Sequence, residues 1–167
     1  MKKINYQPAV VFTLLITLSV ILFSFSLKTA EALSSYKNNF GGEGFEVYLN
    51  DKLILQQYGE KMNTVKTLEL DQSASNGQLA IRYYHCGKPG KSRVVTIKDD
   101  QNVVLKEWRF GDAKDASAKV SCNVKDIFAL PKFKAGKKVN LYYAATELPN
   151  GRLLATLTTV HKAAAQP

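Results

Sequence analysis

The sequence predicts an all-β domain, an antiparallel β-sandwich of about eight to nine short strands that follows an N-terminal signal peptide. Short segments in which apolar and polar residues alternate recur along the chain, and turn-forming residues separate them at intervals typical of sandwiches. No long segment has the three- to four-residue apolar repeat of an amphipathic helix. An up-and-down β-barrel is the alternative architecture.

The first residues have the layout of a secretory signal peptide. Lys2 and Lys3 precede the uncharged, mostly apolar run Val10–Leu27, and the small-x-small pattern Ala30–Ala32 follows that run. We therefore expect cleavage before Leu33 and export to the periplasm, the cell surface or the extracellular medium. The run borders the ~18 residues of a spanning helix, so an uncleaved membrane anchor stays as the alternative.

The predicted mature chain is basic, and this charge limits the classes of partner that we expect it to bind. The leader 1–32 carries three of the 23 basic residues and one of the 14 acidic residues, so the mature chain keeps 20 and 13, a net charge of +7. That balance allows contact with anionic sugars, lipids or cell-surface polymers. An exported protein rarely meets nucleic acid, so we expect none as a partner. A solvated basic surface that aids solubility explains the same charge.

After the leader we expect a flexible lead-in over 33–44, a sandwich domain over 45–161 and a tail over 162–167. The clearest predicted element of the sandwich domain is a hairpin. Phe45–Leu49 alternates apolar and polar residues, Asn50 and Asp51 form a two-residue turn signal, and Lys52–Gln57 returns. Val65–Leu70 predicts a further short strand, followed by a polar loop.

The central segment Gln78–Phe110 predicts three consecutive strands joined by two turns. In its first strand Leu79, Ile81 and Tyr83 share one side, because side chains alternate along a strand. The Gly-rich stretch Gly87–Ser92 is predicted to be a hairpin turn into a second strand, 92–98. A polar turn over 99–102 then leads to the third strand, 103–110.

The last third of the sandwich domain contains three predicted strands and one helical turn. Ala118–Lys125 alternates with Cys122 on its apolar side, and Asp126–Leu130 is expected to form a helical turn capped by Asp126. Residues 131–138 predict a lysine-rich loop, and 139–146 an alternating strand. Leu148–Gly151 is predicted to turn the chain into the final strand, 152–160.

The two cysteines, Cys86 and Cys122, predict a disulfide, because oxidation is the default for a pair in an exported protein. Two free thiols that pack as small apolar residues are the alternative. The order Cys86, Trp108, Cys122 matches the cysteine–tryptophan core of immunoglobulin-like domains, but the spacing does not.

Catalytic and metal sites find little support in the sequence. The loop ending Gly90-Lys91-Ser92 resembles a phosphate-binding loop, yet it lacks the first glycine and opens a strand. His85 and Cys86 are strand neighbours whose side chains point to opposite faces, so they do not form a nucleophile–base pair. We expect no catalytic residue, no metal and no cofactor.

Two adjacent tyrosine pairs suggest a ligand face. If Tyr84 and Tyr142 share an outer face with Arg82, their rings are available to stack on sugars, and Lys88 and Lys91 add charge nearby. Ordinary cross-strand aromatic packing is the competing interpretation.

The export leader, the hairpin NDKLILQQ and the segment YYHCGKPGKSR together resemble small secreted bacterial β-sandwich proteins. The resemblance spans most of the mature chain and implies neither an activity nor site residues. We expect a non-enzymatic binding or structural module acting at the cell envelope or outside the cell, with an unidentified protein or glycan as its partner. A carbohydrate-binding module using surface tyrosines and lysines is the alternative, and a hydrolase comes third.

Overall fold

The computed structural model describes residues 42–160. The predicted signal peptide 1–32, the lead-in up to residue 41, His161 and the tail 162–167 lie outside the described residues. The strands are β1 (Gly44–Leu49), β2 (Lys52–Tyr58), β3 (Lys66–Leu70), β4 (Gln78–Tyr84), β5 (Val94–Lys98), β6 (Val104–Arg109), β7 (Val120–Asn123), β8 (Val139–Ala145) and β9 (Leu148–Thr159). Two short helices, α1 (Val124–Phe128) and α2 (Pro131–Lys134), lie between β7 and β8, and 3₁₀ turns cover Gly59–Asn63 and Gln72–Ala74.

The strands form two sheets, which confirms the prediction of an all-β sandwich. One sheet has four strands in the order β2-β1-β4-β7, and the other has five in the order β3-β9-β8-β5-β6. All neighbouring strands pair antiparallel except β3 and β9, which run parallel from Lys66 opposite Ala155 to Leu70 opposite Thr159.

The core lies between the two sheets, and the alternation in the sequence predicts which side chains enter it. Leu79, Ile81 and Tyr83 of β4 are buried, as are the alternate residues of β8 that begin with Val139. Phe45 and Val47 of β1 are fully buried beside them. This confirms the alternation predicted for these strands, because the period of two is a property of the extended backbone.

The first hairpin also forms as predicted. Asn50 and Asp51 adopt positive φ values of 50° and 63°, the conformation that a two-residue turn between twisted strands requires. The turn pairs Leu49 with Lys52, and a register shift between Val47 and Tyr48 then places Glu46 opposite Gln56 and Gly44 opposite Tyr58.

The segment 87–92 was predicted to be a hairpin turn, and this prediction is wrong. The strands that it joins, β4 and β5, belong to different sheets, so the segment carries the chain from one layer of the sandwich to the other. Cys86 and Ser92 have positive φ values of 52° and 46°, which redirect the backbone at both ends of the crossing.

The turn predicted at Leu148–Gly151 is also wrong, because these residues belong to β9. The chain reverses earlier, at Thr146 and Glu147. In the pairing with β8, Ala145 lies opposite Leu148 and Tyr143 opposite Arg152, so the extra residues form a bulge. Gly151 accommodates the bulge with a φ of 64°.

One end of the core is closed by α1 and α2, where the sequence predicted a helical turn and a lysine-rich loop. The helix α1 begins at Val124 and its N-cap is Asn123, so Asp126 lies inside the helix and is not its cap. The segment predicted as a loop includes α2, whose Phe133 is fully buried and packs edge-on against Phe128 at 5.3 Å between ring centres.

The predicted disulfide is not formed: Cys86 and Cys122 are both free. Cys122 points into the core as predicted, and burial raises the pKa of its thiol to about 12. Cys122 lies opposite Leu79 of β4. Cys86 comes seven residues after Leu79 in the chain and is exposed. At about 3.3 Å per residue this is roughly 20 Å, far beyond the ~7 Å between Cα atoms that a disulfide spans.

Candidate ligand-binding face

The residues predicted to form one ligand face are divided between the two sheets. Tyr83 and Tyr143 are both buried and stack in the core, with ring centres 4.8 Å apart and planes within 6°. Their neighbours Tyr84 and Tyr142 therefore project from opposite outer surfaces of the sandwich. The prediction that Tyr84 and Tyr142 share a face is wrong, because sequence periodicity does not reveal which strands lie in the same sheet.

The other predicted residues divide in the same way. Arg82 lies beside Tyr84 on the four-stranded sheet, and Lys88 and Lys91 lie exposed in the segment that crosses between the sheets. Tyr142 contacts residues of its own sheet, with the Lys98 amino group 4.5 Å from its ring centre. Of the predicted set, only Arg82 and Tyr84 share a face.

On the outer surface of the four-stranded sheet, Arg82 and Tyr84 belong to a larger cluster of polar and aromatic side chains. We call it the tyrosine face and define it by Glu46, Tyr48, Gln56, Tyr58, Arg82, Tyr84 and Lys119. Strand pairing brings its members together, because β1 lies between β2 and β4. Glu46 faces Gln56 on one side and Arg82 on the other.

A glycine allows two of the tyrosines to meet. Gly44 lies between Tyr58 and Tyr84 in the strand register, and the two rings approach across it to 5.7 Å between centres. A Cβ atom on Gly44 would lie 2.0 Å from Cδ1 of Tyr58. The Tyr58 ring therefore packs directly over the β1 backbone at Gly44, in space that the side chain of any other residue at position 44 would occupy.

Glu46 is the centre of the tyrosine face. Its carboxylate accepts hydrogen bonds from the hydroxyls of Tyr48 at 2.5 Å and Tyr58 at 2.8 Å, and Nη1 of Arg82 lies 3.2 Å away. The residue is only 6 % exposed although it lies on the outer side of the sheet. The tyrosine rings and Arg82 thus enclose a charged group on the sheet surface.

The pKa values in this cluster follow from that enclosure. Burial by itself would raise the pKa of Glu46, but the hydrogen bonds from Tyr48 and Tyr58, together with the Arg82 charge, hold it below its ordinary value of 4.5. Burial and the hydrogen bond to Glu46 raise the pKa of Tyr48 to about 12. At neutral pH the carboxylate is charged and the Tyr48 hydroxyl keeps its proton.

The two cations of the face contact its rings. Arg82 donates through Nε to the carbonyl of Ser117 at 2.9 Å and through Nη1 to the Tyr84 hydroxyl at 3.2 Å. The Lys119 amino group lies 3.6 Å from the centre of the Tyr48 ring, a cation–π contact. The result is a surface of half-buried rings whose positions are set by hydrogen bonds.

Sequence reasoning missed five members of this face: Glu46, Tyr48, Gln56, Tyr58 and Lys119. A signal for part of the set existed, since the predicted hairpin places Glu46 and Tyr48 on the outward side of β1, across from alternate residues of β2. What the sequence did not show was that β4 would pair with the other side of β1.

A second cluster lies at the end of the core where β4 and β8 finish. His85 is buried there, and its Nε2 lies 3.1 Å from the Tyr143 hydroxyl. Gly90 packs directly over this pair, since a Cβ there would lie 2.9 Å from both His85 Nε2 and Tyr143 Oη. Burial, the largest influence, lowers the pKa of His85.

The same cluster continues to the edge of the core. The Tyr83 hydroxyl donates to Glu43 and accepts from Arg152 Nε at 3.0 Å, and Arg152 also pairs with Glu43 at 3.3 Å. No buried side-chain nitrogen or oxygen in 42–160 lacks a hydrogen-bond partner. The polar groups of this cluster are thus hydrogen-bonded to one another, as is typical of a network that stabilises a fold.

The loop that resembles a phosphate-binding loop uses its amides within the chain. The backbone N–H of Lys91 donates to Glu147 and that of Ser92 to Asp112, both at 2.9 Å. Carboxylates of this protein thus occupy the positions that a bound phosphate would take.

Asp99 has the role of a turn former. Its Oδ1 accepts from the N–H groups of Gln101 and Val103, and its Oδ2 pairs with Lys132. Within residues 42–160 no three His, Cys, Asp or Glu side chains lie close enough together to hold a metal ion.

None of the helices in the described part of the chain has the length and hydropathy of a membrane-spanning helix. No protein-family model matches this chain, and no curated protein matches it.

Proposed function

We propose that this protein is an exported, non-enzymatic binding module that acts at the cell envelope or outside the cell and binds its ligand on the tyrosine face. The observation that carries the proposal is the arrangement of Tyr48 and Tyr58 around the enclosed carboxylate of Glu46, with Tyr84 beside them. Aromatic side chains held in fixed positions present contact area at a low cost in conformational entropy.

The chemistry of the face favours binding over catalysis. Glu46 is held as a carboxylate and the pKa of Tyr48 is raised, so neither group titrates near neutral pH as a general acid or base would. Arg82 is engaged by Glu46, Tyr84 and the Ser117 carbonyl. Groups that are held in one position and one protonation state are suited to orienting a ligand and not to making or breaking its covalent bonds.

A glycan is the ligand class that the face favours. Sugar rings have apolar C–H surfaces that pack on aromatic rings and hydroxyls that bond polar side chains at the ring edges. The neighbouring rings of Tyr58 and Tyr84 supply the first feature, and the hydroxyls around Glu46 supply the second.

Export belongs to the proposal and rests on the leader with its Ala30–Ala32 site. Mass spectrometry of the protein recovered from the envelope or medium should show a chain that begins at Leu33. A membrane-bound protein that keeps the complete leader would contradict cleavage and support the anchored alternative.

Glycan binding is tested by screening the exported protein against an oligosaccharide array and titrating the best ligand in solution. Tyr84→Ala removes one ring of the face and should weaken affinity about tenfold, which corresponds to about 1.4 kcal/mol. Tyr142→Ala is the matched control, because it removes an outward tyrosine from the opposite sheet. Equal losses in both variants, or no ligand for the wild type, would contradict the proposed face.

A further inference from the structure

The hydroxyl groups of the tyrosine face have a fixed polarity. A phenol has one proton to donate, and the hydroxyls of Tyr48 and Tyr58 both donate theirs to Glu46. An ionised carboxylate only accepts hydrogen bonds, so the direction of both bonds is set by Glu46. The Tyr58 oxygen also accepts a hydrogen bond from Gln56 Nε2 at 2.8 Å, so the acceptor that this pair offers to a ligand is chiefly the Tyr48 oxygen.

The charged side chains of the tyrosine face are also engaged by other groups of this protein. The Arg82 guanidinium contacts Glu46 and Tyr84 through Nη1 and Ser117 through Nε, so two of its three nitrogens already have partners within the chain. Bidentate recognition of a carboxylate or phosphate uses two neighbouring nitrogens, so these contacts weaken Arg82 as a partner for an anionic ligand. Glu46 and Arg82 also neutralise each other at 3.2 Å. The other cation among the defined members, Lys119, is half-buried, and its amino group already has an aromatic partner in the Tyr48 ring.

We propose that the tyrosine face selects a neutral, hydroxyl-rich saccharide over an acidic one, and that Glu46 is the positioning residue that sets this specificity. Glu46 accepts the hydroxyl protons of Tyr48 and Tyr58 in hydrogen bonds, which leaves the Tyr48 oxygen to accept a hydrogen bond from a sugar hydroxyl. Glu46 also engages Arg82, which weakens that residue as a partner for an anionic group. This inference rests on the proposed function, because it names the ligand class of the same face.

Glu46→Gln tests the inference because it keeps the shape of the side chain and removes its charge. The amide supplies one acceptor oxygen in place of two, so a tyrosine hydroxyl turns its proton outward, and Arg82 loses its charged partner. Affinity for a neutral glucose oligosaccharide should fall about tenfold, and affinity for a uronic acid oligosaccharide of equal length should rise about threefold.

Glu107→Gln is the matched control. Glu107 also pairs with an arginine, Arg109, at 2.7 Å, but it lies in the five-stranded sheet. The control should leave both affinities unchanged.

Tyrosine titration gives a second readout that needs no ligand. The pKa of Tyr48, about 12 in the wild type, should decrease in Glu46→Gln, as should that of Tyr58, and alkaline difference absorbance should record tyrosine ionisation at lower pH. Glu107→Gln should leave the titration curve as it is.

The outcomes separate this inference from the proposed function. A wild-type protein that prefers the uronic acid ligand, or a Glu46→Gln variant with unchanged preference or an unchanged tyrosine titration, overturns the role of Glu46 while glycan binding stands. A wild-type protein that binds neither oligosaccharide overturns both.

Discussion

Replacing Phe133 with alanine should lower the free energy of unfolding by about 3–5 kcal/mol, the usual cost of removing a buried aromatic ring. Phe133 is fully buried in α2, and its ring packs on Phe128 where the two helices close the end of the sandwich. The loss is a large share of the ~5–15 kcal/mol that stabilises a typical domain. Urea unfolding followed by tryptophan fluorescence measures it.

Lys134→Ala is the matched control, because Lys134 is the next residue in α2 and its side chain is exposed. This substitution should change stability by less than about 0.5 kcal/mol. Phe133→Leu keeps much of the apolar volume and should fall between the two. If Phe133→Ala unfolds at the wild-type urea concentration, the segment 131–138 is a surface loop, as its lysine content predicted, and the observed closure of the core is incorrect.

The stabilising effect of His85 should decrease as the pH falls. Its pKa in the folded protein lies below the ordinary value of 6.5, chiefly because burial disfavours the charged ring. Above pH 6.5 the ring is neutral in both states, and its contribution is complete. As the pH falls from 6.5 through the lower folded-state pKa, the unfolded chain binds the proton first, and stability declines by about 1.4 kcal/mol for each unit of depression.

The charged neighbours of His85 act against one another. Glu147 and Glu43 raise the pKa of its ring and Arg93 lowers it, all by less than the effect of burial. Comparing unfolding free energies of wild type and His85→Gln at about pH 8 and about pH 5 isolates the residue, because all other groups titrate in both proteins. The cost of the substitution should be smaller at the lower pH. A cost that is larger there would mean that the carboxylates dominate and the pKa is raised.

Tyr143→Phe complements that comparison, since it removes the hydroxyl 3.1 Å from His85 Nε2 and keeps the ring that stacks on Tyr83. Removing one partner of a buried hydrogen bond costs about 1–3 kcal/mol. The pH dependence should persist in this variant, because burial of the His85 ring, which dominates its pKa, does not depend on the Tyr143 hydroxyl.

The sequence alone determined the fold class and the alternation of side chains along most strands. Alternation placed Leu79 and Ile81 on one side of their strand and Cys122 on the apolar side of another, and all three are buried. Asn50 and Asp51 marked a turn that forms with both residues at positive φ. These features are local: a pleated backbone alternates its side chains, and a two-residue turn needs residues that tolerate its dihedral angles, whatever the remainder of the chain does.

Only the tertiary structure decided which strands are neighbours, and the main errors of sequence reasoning follow from that. Tyr84 and Tyr142 lie on opposite sheets. Cys122 pairs with Leu79 near the start of β4, whereas Cys86 lies beyond the end of that strand. The pairing of β4 with β1 creates the cluster around Glu46. Periodicity specifies the face that a side chain occupies, but strand order depends on how all the apolar faces are buried together, so no local pattern contains it.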